Sequence, residues 1–466
     1  MNNLTHTASA PRPALRCFKA YDIRGRVPDE IDPSFAYLLG VAYTERFAPH
    51  RVALGRDVRH SSPALLDALA LAFNDCGVEV LDLGLCGTEE LYWAAMQPGV
   101  DGGIAITASH NPIDYNGMKL VRAGAVPVSG DSGLRDLEAL VADSAACLPR
   151  ASPRKQATSF RDAYVHHVLG FIDRSRLRPL RIVVNCGNGA VGPLLDALEP
   201  RLPFELIRVH AQPDGSFPHG IPNPLLPEMR ADTVAAVRAY SADFGVAWDG
   251  DFDRCFLFDE RGSFIEGYYI VGLLAQMLLQ KCGPGERKPR IVHDPRLVWN
   301  TVDIVTQNGG DPVQSKTGHA YIKERMRAED AIYGGEMSAH HYFREFAYCD
   351  NGTLPWLLIA ELICESDTPL SQLVGDRMRR FPVSGEINRR VDDIAAILAR
   401  VEKRYGAQAL SLDCTDGLGL EFDTWRFNVR GSNTEPLLRL NVEARGDREL
   451  MLARTSELLA LIDRTQ

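Results

Sequence analysis

Apolar residues recur along this chain in short runs bounded by turn formers, and these runs alternate with stretches of helical period. Gly102–Ile106, Phe244–Trp248 and Cys255–Phe258 are continuous apolar segments of strand length, which read as buried strands. Leu65–Phe73 and Thr233–Tyr240 instead space their apolar positions along one face of a helix. Three openings share one form: Arg51–Asp57, Arg181–Gly189 and Arg290–Arg296 each give a basic residue, an apolar strand, and a polar turn into a helix-like stretch. Such openings are common in α/β proteins. In a chain of 466 residues, too long for one core, they predict three α/β units with mostly parallel or mixed sheets between helices. The C-terminal part differs, with a helix-like stretch at Asp392–Tyr405, short strands and a terminal helix, and predicts an α+β domain. Polar, Pro- or Gly-containing linkers near Ala151–Arg154, Asp259–Gly262 and Ser366–Leu370 divide the chain into expected domains 1–153, 154–259, 260–370 and 371–466.

Bulk properties narrow the function. A net charge of -10 makes nucleic acid an unsuitable partner. Ten cysteines without a C-x-x-C pair fit reduced thiols in a cytoplasm. The N-terminal segment is polar and carries Pro11 and Pro13, unlike a signal peptide or anchor. The longest apolar stretch, Ile270–Leu279, falls well short of a membrane span.

Four polar strings then carry the chemistry. Thr107–Pro112 follows the apolar run Gly102–Ile106 and precedes Asp114–Gly117, a turn-rich stretch broken by Pro112 and Gly117. Ser109 is thereby presented on a loop at a strand end, with His110 beside it and Lys119 further on, and is a candidate to carry a phosphoryl group. An ordinary strand-end turn would use the same residue types. Asp249-Gly250-Asp251-Phe252-Asp253-Arg254 falls between two apolar runs. Asp-Gly there signals a hairpin, but three alternating carboxylates in one surface loop repel unless a cation neutralises them. An all-oxygen set suits Mg²⁺ with phosphate completing its shell, leaving Arg254 to face a phosphate. In Gly334–His341 the paired glycines permit close backbone approach to a ligand, and Glu336 and Ser338 suit neighbouring sugar hydroxyls. A solvated Gly-rich loop is the plainer reading on spacing alone, and His340 and His341 lack a third His or Cys for a zinc site. Arg430–Pro436, with Arg439 beyond it, packs short donors with glycine and an arginine fork, a loop able to wrap phosphate oxygens.

These strings, in this order, resemble the α-D-phosphohexomutase family, and the run Cys17–Gly25, the string Gly335–Ser338 and Ser432–Pro436 resemble its bacterial phosphomannomutase branch. The resemblance covers nearly the whole chain from about Cys17. Ala339 stands where many dual-specificity relatives have Gly. The resemblance implies a heart-shaped, four-domain molecule with one central cleft. It implies a phosphoserine at Ser109, with Mg²⁺ held by Ser109, Asp249, Asp251 and Asp253. Mannose 6-phosphate and mannose 1-phosphate would interconvert through a hexose 1,6-bisphosphate, which also acts as activator, supplying GDP-mannose and surface polysaccharide. His110 and Lys119 are proton-transfer candidates beside Ser109. Tyr21, Arg24, Arg254, Arg296, His319, Glu336, Ser338, His340, Arg430, Ser432, Asn433, Thr434 and Arg439 are expected substrate contacts, with Arg296 where relatives often place a lysine. The expected partner is a small phosphosugar, with no nucleic acid or membrane, and the chain a monomer or weak homodimer. A phosphoglucomutase or dual-specificity enzyme, an Asp-dependent phosphosugar hydrolase and a non-catalytic phosphosugar binder remain as alternatives.

Overall fold

The computed structural model describes residues 15–144, 152–283, 288–431 and 437–463. The described residues form four sheets, and the three similar openings each begin the parallel part of one. In the first sheet Arg51–Arg56 pairs in parallel with both Glu79–Leu85 and Gly102–Ile106. Antiparallel Tyr115–Arg122 and Ile23–Arg26 extend it on one side. In the second, Arg181–Asn185 lies in parallel between Glu205–Val209 and Phe244–Trp248, and Cys255–Phe258 turns back antiparallel. In the third, Arg290–His293 has parallel neighbours Asp311–Gln314 and Tyr333–Gly335, then antiparallel His341–Phe343. The fourth sheet runs in the order Ile387–Arg390, Leu437–Ala444, Trp425–Gly431, Leu418–Glu421, Ser411–Asp413 and is antiparallel throughout. Its apolar face packs with Val401, Leu458 and Ile462 of helices Ile394–Tyr405 and Arg448–Ile462. Three mixed α/β units and one α+β unit result, as the hydrophobic pattern predicts.

Packing sets how the units are joined. One apolar core runs continuously through the first three, containing Tyr92, Tyr164, Trp248 and Trp356, whereas the fourth unit has a core of its own. At the junction of the first three, Glu89 lies fully buried. It accepts hydrogen bonds from Tyr164 Oη at 2.5 Å, from the Gly352 and Thr353 amides at 2.6 and 3.2 Å, and from the Thr353 hydroxyl. Burial pushes its carboxyl up to about 8 against those four donors. The fourth unit is attached by polar contacts instead. Arg426 donates to the carbonyls of Pro295 and Arg296 at 3.0 and 3.1 Å, and Glu443 accepts from the Val298 amide at 2.7 Å. Helix Leu370–Arg380, across the expected 370/371 division, buries Leu370 and Val374 in the shared core of the first three units.

Two glycine readings change. Gly117 lies inside strand Tyr115–Arg122 and does not break it. A Cβ there would come within 2.2 Å of the Ile23 carbonyl, so close strand packing requires it. Gly334 and Gly335 serve packing rather than ligand approach, because added Cβ atoms would meet Met326 Sδ at 2.6 Å and Val271 Cγ2 at 2.5 Å. Among the described residues no helix is long and apolar enough to cross a membrane.

Candidate active site

Strand Gly102–Ile106 is buried throughout and delivers Ser109 from its C-terminal end. Ser109 has φ 49°, a left-handed conformation that costs a non-glycine residue about 1–2 kcal/mol. Surrounding hydrogen bonds hold it there. Its amide donates to Thr107 Oγ1 at 2.9 Å, and Arg59 donates to the carbonyls of Ser109, Asn111, Pro112 and Tyr115 at 3.1, 2.6, 2.7 and 2.9 Å. Arg59 is 2% exposed and belongs to none of the predicted strings; its only sequence signal is a charged pair, Asp57 and Arg59, directly after a strand. Arg59→Ala leaves four carbonyls and the buried Asp57 short of a partner. It is expected to cost about 3 kcal/mol of stability, read as a lowered urea midpoint.

The Asp string connects two paired strands, Phe244–Trp248 and Cys255–Phe258, as a hairpin. It is not a surface loop. Asp249, Asp251 and Asp253 are at most 1% exposed, because Phe252 (φ 45°) is wedged against Gly87 and Gly352, where no Cβ would fit. Each aspartate commits one oxygen to the protein. Asp249 Oδ2 accepts from Ser109 Oγ at 2.5 Å and from Arg254 at 2.6 and 2.8 Å. Asp251 Oδ2 accepts from Thr88 Oγ1 and Lys119 Nζ, both at 2.7 Å, and Asp253 Oδ2 accepts from Lys119. The three Oδ1 atoms are buried without a hydrogen-bond partner, and the three carboxylates can place ligand atoms within 4.8 Å of one another. Three clustered carboxylates, each with one unsatisfied oxygen, fit a hard divalent cation.

Electrostatics follow from this packing. Burial pushes the Asp249 carboxyl up, with Arg254 opposing. Burial also opposes ionisation of Asp251 and Asp253, and the charge of Asp253 further opposes that of Asp251. Lys119, together with Arg24 at Asp251 and His340 and Arg254 at Asp253, outweighs these effects and holds both below the usual carboxylate range. Burial would lower Lys119, but the two carboxylates raise it, so the ammonium stays charged. Its contacts are the Asp cluster and Thr88, at 3.3 Å. His110 does reach the serine: its Nδ1 lies 3.0 Å from Ser109 Oγ and beside Arg254. Desolvation in the cleft, then Arg254 and Arg24, hold His110 well below its usual range. Arg254, expected to face phosphate, bridges Asp249 and Ser109 Oγ, the latter at 3.2 Å.

The third unit brings the sugar-loop residues to the same place. His340 faces Asp253 and Asp350 at 4.0 and 3.6 Å, and Asp350 pairs with the buried Lys323 at 2.5 Å. Burial would lower His340, yet Asp253 and Asp350 raise it. His319 opens helix His319–Glu329 and packs edge-on against Tyr21 at 4.7 Å between centroids. Both its ring nitrogens are buried without a hydrogen-bond partner, free for a ligand hydroxyl or phosphate. Glu336 accepts from the Gly318 amide at 3.0 Å and Tyr342 Oη at 2.5 Å. Arg296 donates to Asp294 at 2.9 Å, to Ser338 Oγ at 3.2 Å and to Glu336 at 3.5 Å. Arg24 pairs with Asp22 at 2.8 Å and reaches Asn111 Oδ1 at 3.5 Å. From the fourth unit Arg430 and Arg439 converge on Glu386, each at 3.4 Å. Ser432, Asn433 and Thr434 lie outside the described residues. Glu386, Asp350, Lys323 and Thr88 join Arg59 as site residues that no motif signalled.

Every unit therefore lends side chains to one polar cleft, and this arrangement belongs to a family of enzymes. The chain matches the phosphoglucomutase/phosphomannomutase family: its alpha/beta/alpha domain I over residues 15–145, domain II over 162–262, domain III over 266–381 and C-terminal domain over 386–459. The chain belongs to this family. It is 59% identical over 456 residues to the phosphomannomutase of Salmonella typhimurium, covering 96% of this chain and 99% of that one. It is 56% identical over 448 residues to a protein of Xanthomonas campestris named phosphohexose mutases, with the same coverage. A crystal structure of a phosphoglucomutase/phosphomannomutase family protein from Burkholderia thailandensis superposes with a TM-score of 0.84 at 30% identity, over 97% of this chain and 98% of that one.

Proposed function

We infer that this chain is a phosphomannomutase, interconverting mannose 6-phosphate and mannose 1-phosphate. The observation that carries the reaction class is Ser109 Oγ bonded to Asp249, in a cluster of three buried carboxylates each with one oxygen that lacks a partner. Mannose is favoured because relatives 53–59% identical over nearly their whole length bear the name phosphomannomutase.

In this reading Ser109 carries a phosphoryl group. The free hydroxyl oxygen of a bound hexose monophosphate bonds to phosphorus as the bond from phosphorus to Oγ breaks. The hydroxyl proton passes to a nearby base and Oγ is protonated in turn, leaving a hexose 1,6-bisphosphate. After the intermediate reverses in the cleft, the same exchange from its other end returns phosphate to Ser109. His110, adjacent to Oγ, is the candidate proton carrier at the serine. Lys119 and Arg254 supply fixed positive charge where the phosphoryl group passes. A Mg²⁺ ion held by Asp249, Asp251 and Asp253 would supply further stabilisation of the transferring charge. Glu336 and Ser338 orient the sugar hydroxyls, and Arg296, Arg430 and Arg439 hold the phosphate that does not react.

The test is an assay of mannose 1-phosphate conversion with catalytic glucose 1,6-bisphosphate. Isomerisation supports the proposal, release of inorganic phosphate makes the chain a hydrolase, and no turnover makes it a binder. Glucose 1-phosphate run in parallel, with a specificity constant well above that for mannose, would move the assignment to phosphoglucomutase. Arg430→Ala is expected to raise KM by about 10- to 100-fold, the equivalent of about 1.5–3 kcal/mol for a charge-assisted hydrogen bond.

A further inference from the structure

Glu386 lies in the segment that joins the third unit to the fourth, between helix Leu370–Arg380 and strand Ile387–Arg390. One carboxylate there serves three guanidiniums from both sides of the junction. Arg296 of the third unit lies at 3.3 Å, and Arg430 and Arg439 of the fourth each lie at 3.4 Å. Burial would push Glu386 up, but Arg296, Arg439 and Arg430 hold it below the usual range, so the group is an anion.

Charge-assisted N–H···O⁻ bonds usually close to about 2.7–2.9 Å, and none of these three does. Two carboxylate oxygens are stretched over a cradle wider than they fill. Arg430 Nε is buried with no hydrogen-bond partner, so even with Glu386 in place the cradle keeps donor capacity. A phosphate, with three terminal oxygens and a larger charge, matches such a donor set better than a carboxylate does.

Resting on the phosphomannomutase reading, we propose that Glu386 is a resident anion of the phosphate cradle. It draws Arg430 and Arg439 towards Arg296, itself anchored by Asp294 at 2.9 Å, before substrate arrives, and the incoming phosphate of the sugar displaces it. Glu386 is thus a positioning residue that sets phosphate affinity by competition and eases product release by returning to the arginines. Its position in the inter-unit segment couples this exchange to the seating of the fourth unit.

The experiment compares the wild-type chain with Glu386→Gln, which keeps shape and removes charge, using calorimetric titration with inorganic phosphate and with mannose 1-phosphate at fixed ionic strength. A resident anion filling the cradle roughly nine times in ten weakens apparent affinity about tenfold. Glu386→Gln is therefore expected to bind both ligands about tenfold more tightly, with a lowered KM. Unchanged or weaker binding overturns the proposal, because a purely structural Glu386 would loosen the arginines when neutralised. Glu386→Asp, whose carboxylate is one methylene shorter, guards against a folding defect in the first variant and is expected to tighten binding to a smaller degree; unchanged or weaker binding there overturns the proposal too. If wild-type protein fails to isomerise mannose 1-phosphate yet Glu386→Gln still tightens inorganic phosphate, the functional reading fails while the resident anion stands.

Discussion

Ser109→Ala is expected to abolish phosphorylation and to lower mutase turnover on the order of 10⁴–10⁶-fold, the scale on which loss of a nucleophile registers. Ser109 is 3% exposed. Its hydroxyl lies at one point against Asp249, Arg254 and His110, and among the described residues no other hydroxyl is bonded to that group. Thr107 is spent on the Ser109 amide, and Thr88 is spent on Asp251. Fold should survive, because the loop is held by Arg59 through carbonyl groups and not through the serine hydroxyl. Intact mass of the purified protein should show one phosphate that disappears in the variant, with an unchanged thermal melt. Near-wild-type turnover in Ser109→Ala would mean that water or another hydroxyl accepts the group, and the phosphoserine mechanism would be abandoned.

The legible part of this molecule was whatever repeats a period or clusters a chemical type. The basic–strand–turn openings at Arg51, Arg181 and Arg290 begin the parallel strands of three sheets, because a central strand buried on both faces needs a continuous apolar run. The Asp string and the Ser109 loop announced themselves by composition. Glu89, Arg59, Lys323 and Glu386 did not, since each is a single charged residue whose partners lie far away in the chain; Lys323 and Tyr92, or Glu89 and Tyr164, meet only when separate units pack. The paired glycines at 334–335 misled for the complementary reason. Sequence reveals permission for close approach, whereas the neighbour that approaches, here Val271 and Met326, depends on tertiary packing. Ala339 shows the same limit. It adopts φ 69°, a conformation natural to glycine, yet its methyl group packs with Ala247, Phe256 and Phe258.

Removal of divalent metal is expected to reduce turnover on the order of 10³-fold, the several kcal/mol that a metal ion contributes to phosphoryl transfer, with recovery on adding Mg²⁺. The physical reason lies in how the Asp loop divides its oxygens. Three Oδ2 atoms are bound by Ser109, Arg254, Thr88 and Lys119, three Oδ1 atoms are buried without hydrogen bonds, and the three carboxylates can place ligand atoms within 4.8 Å of one another. Such an arrangement is costly unless a cation occupies the gap. Asp251→Asn should remove metal binding, read directly by titration calorimetry with Mg²⁺. It should also lower stability, because Lys119 is 4% exposed and would keep only Asp253 as a carboxylate partner; losing one partner of a buried pair costs about 3–5 kcal/mol. Both losses are expected together, since one carboxylate group serves the cation through Oδ1 and the ammonium through Oδ2. Asp251→Asn with intact Mg²⁺ affinity, or full activity after exhaustive chelation, would show that the three aspartates balance Lys119 and Arg254 alone and hold no metal.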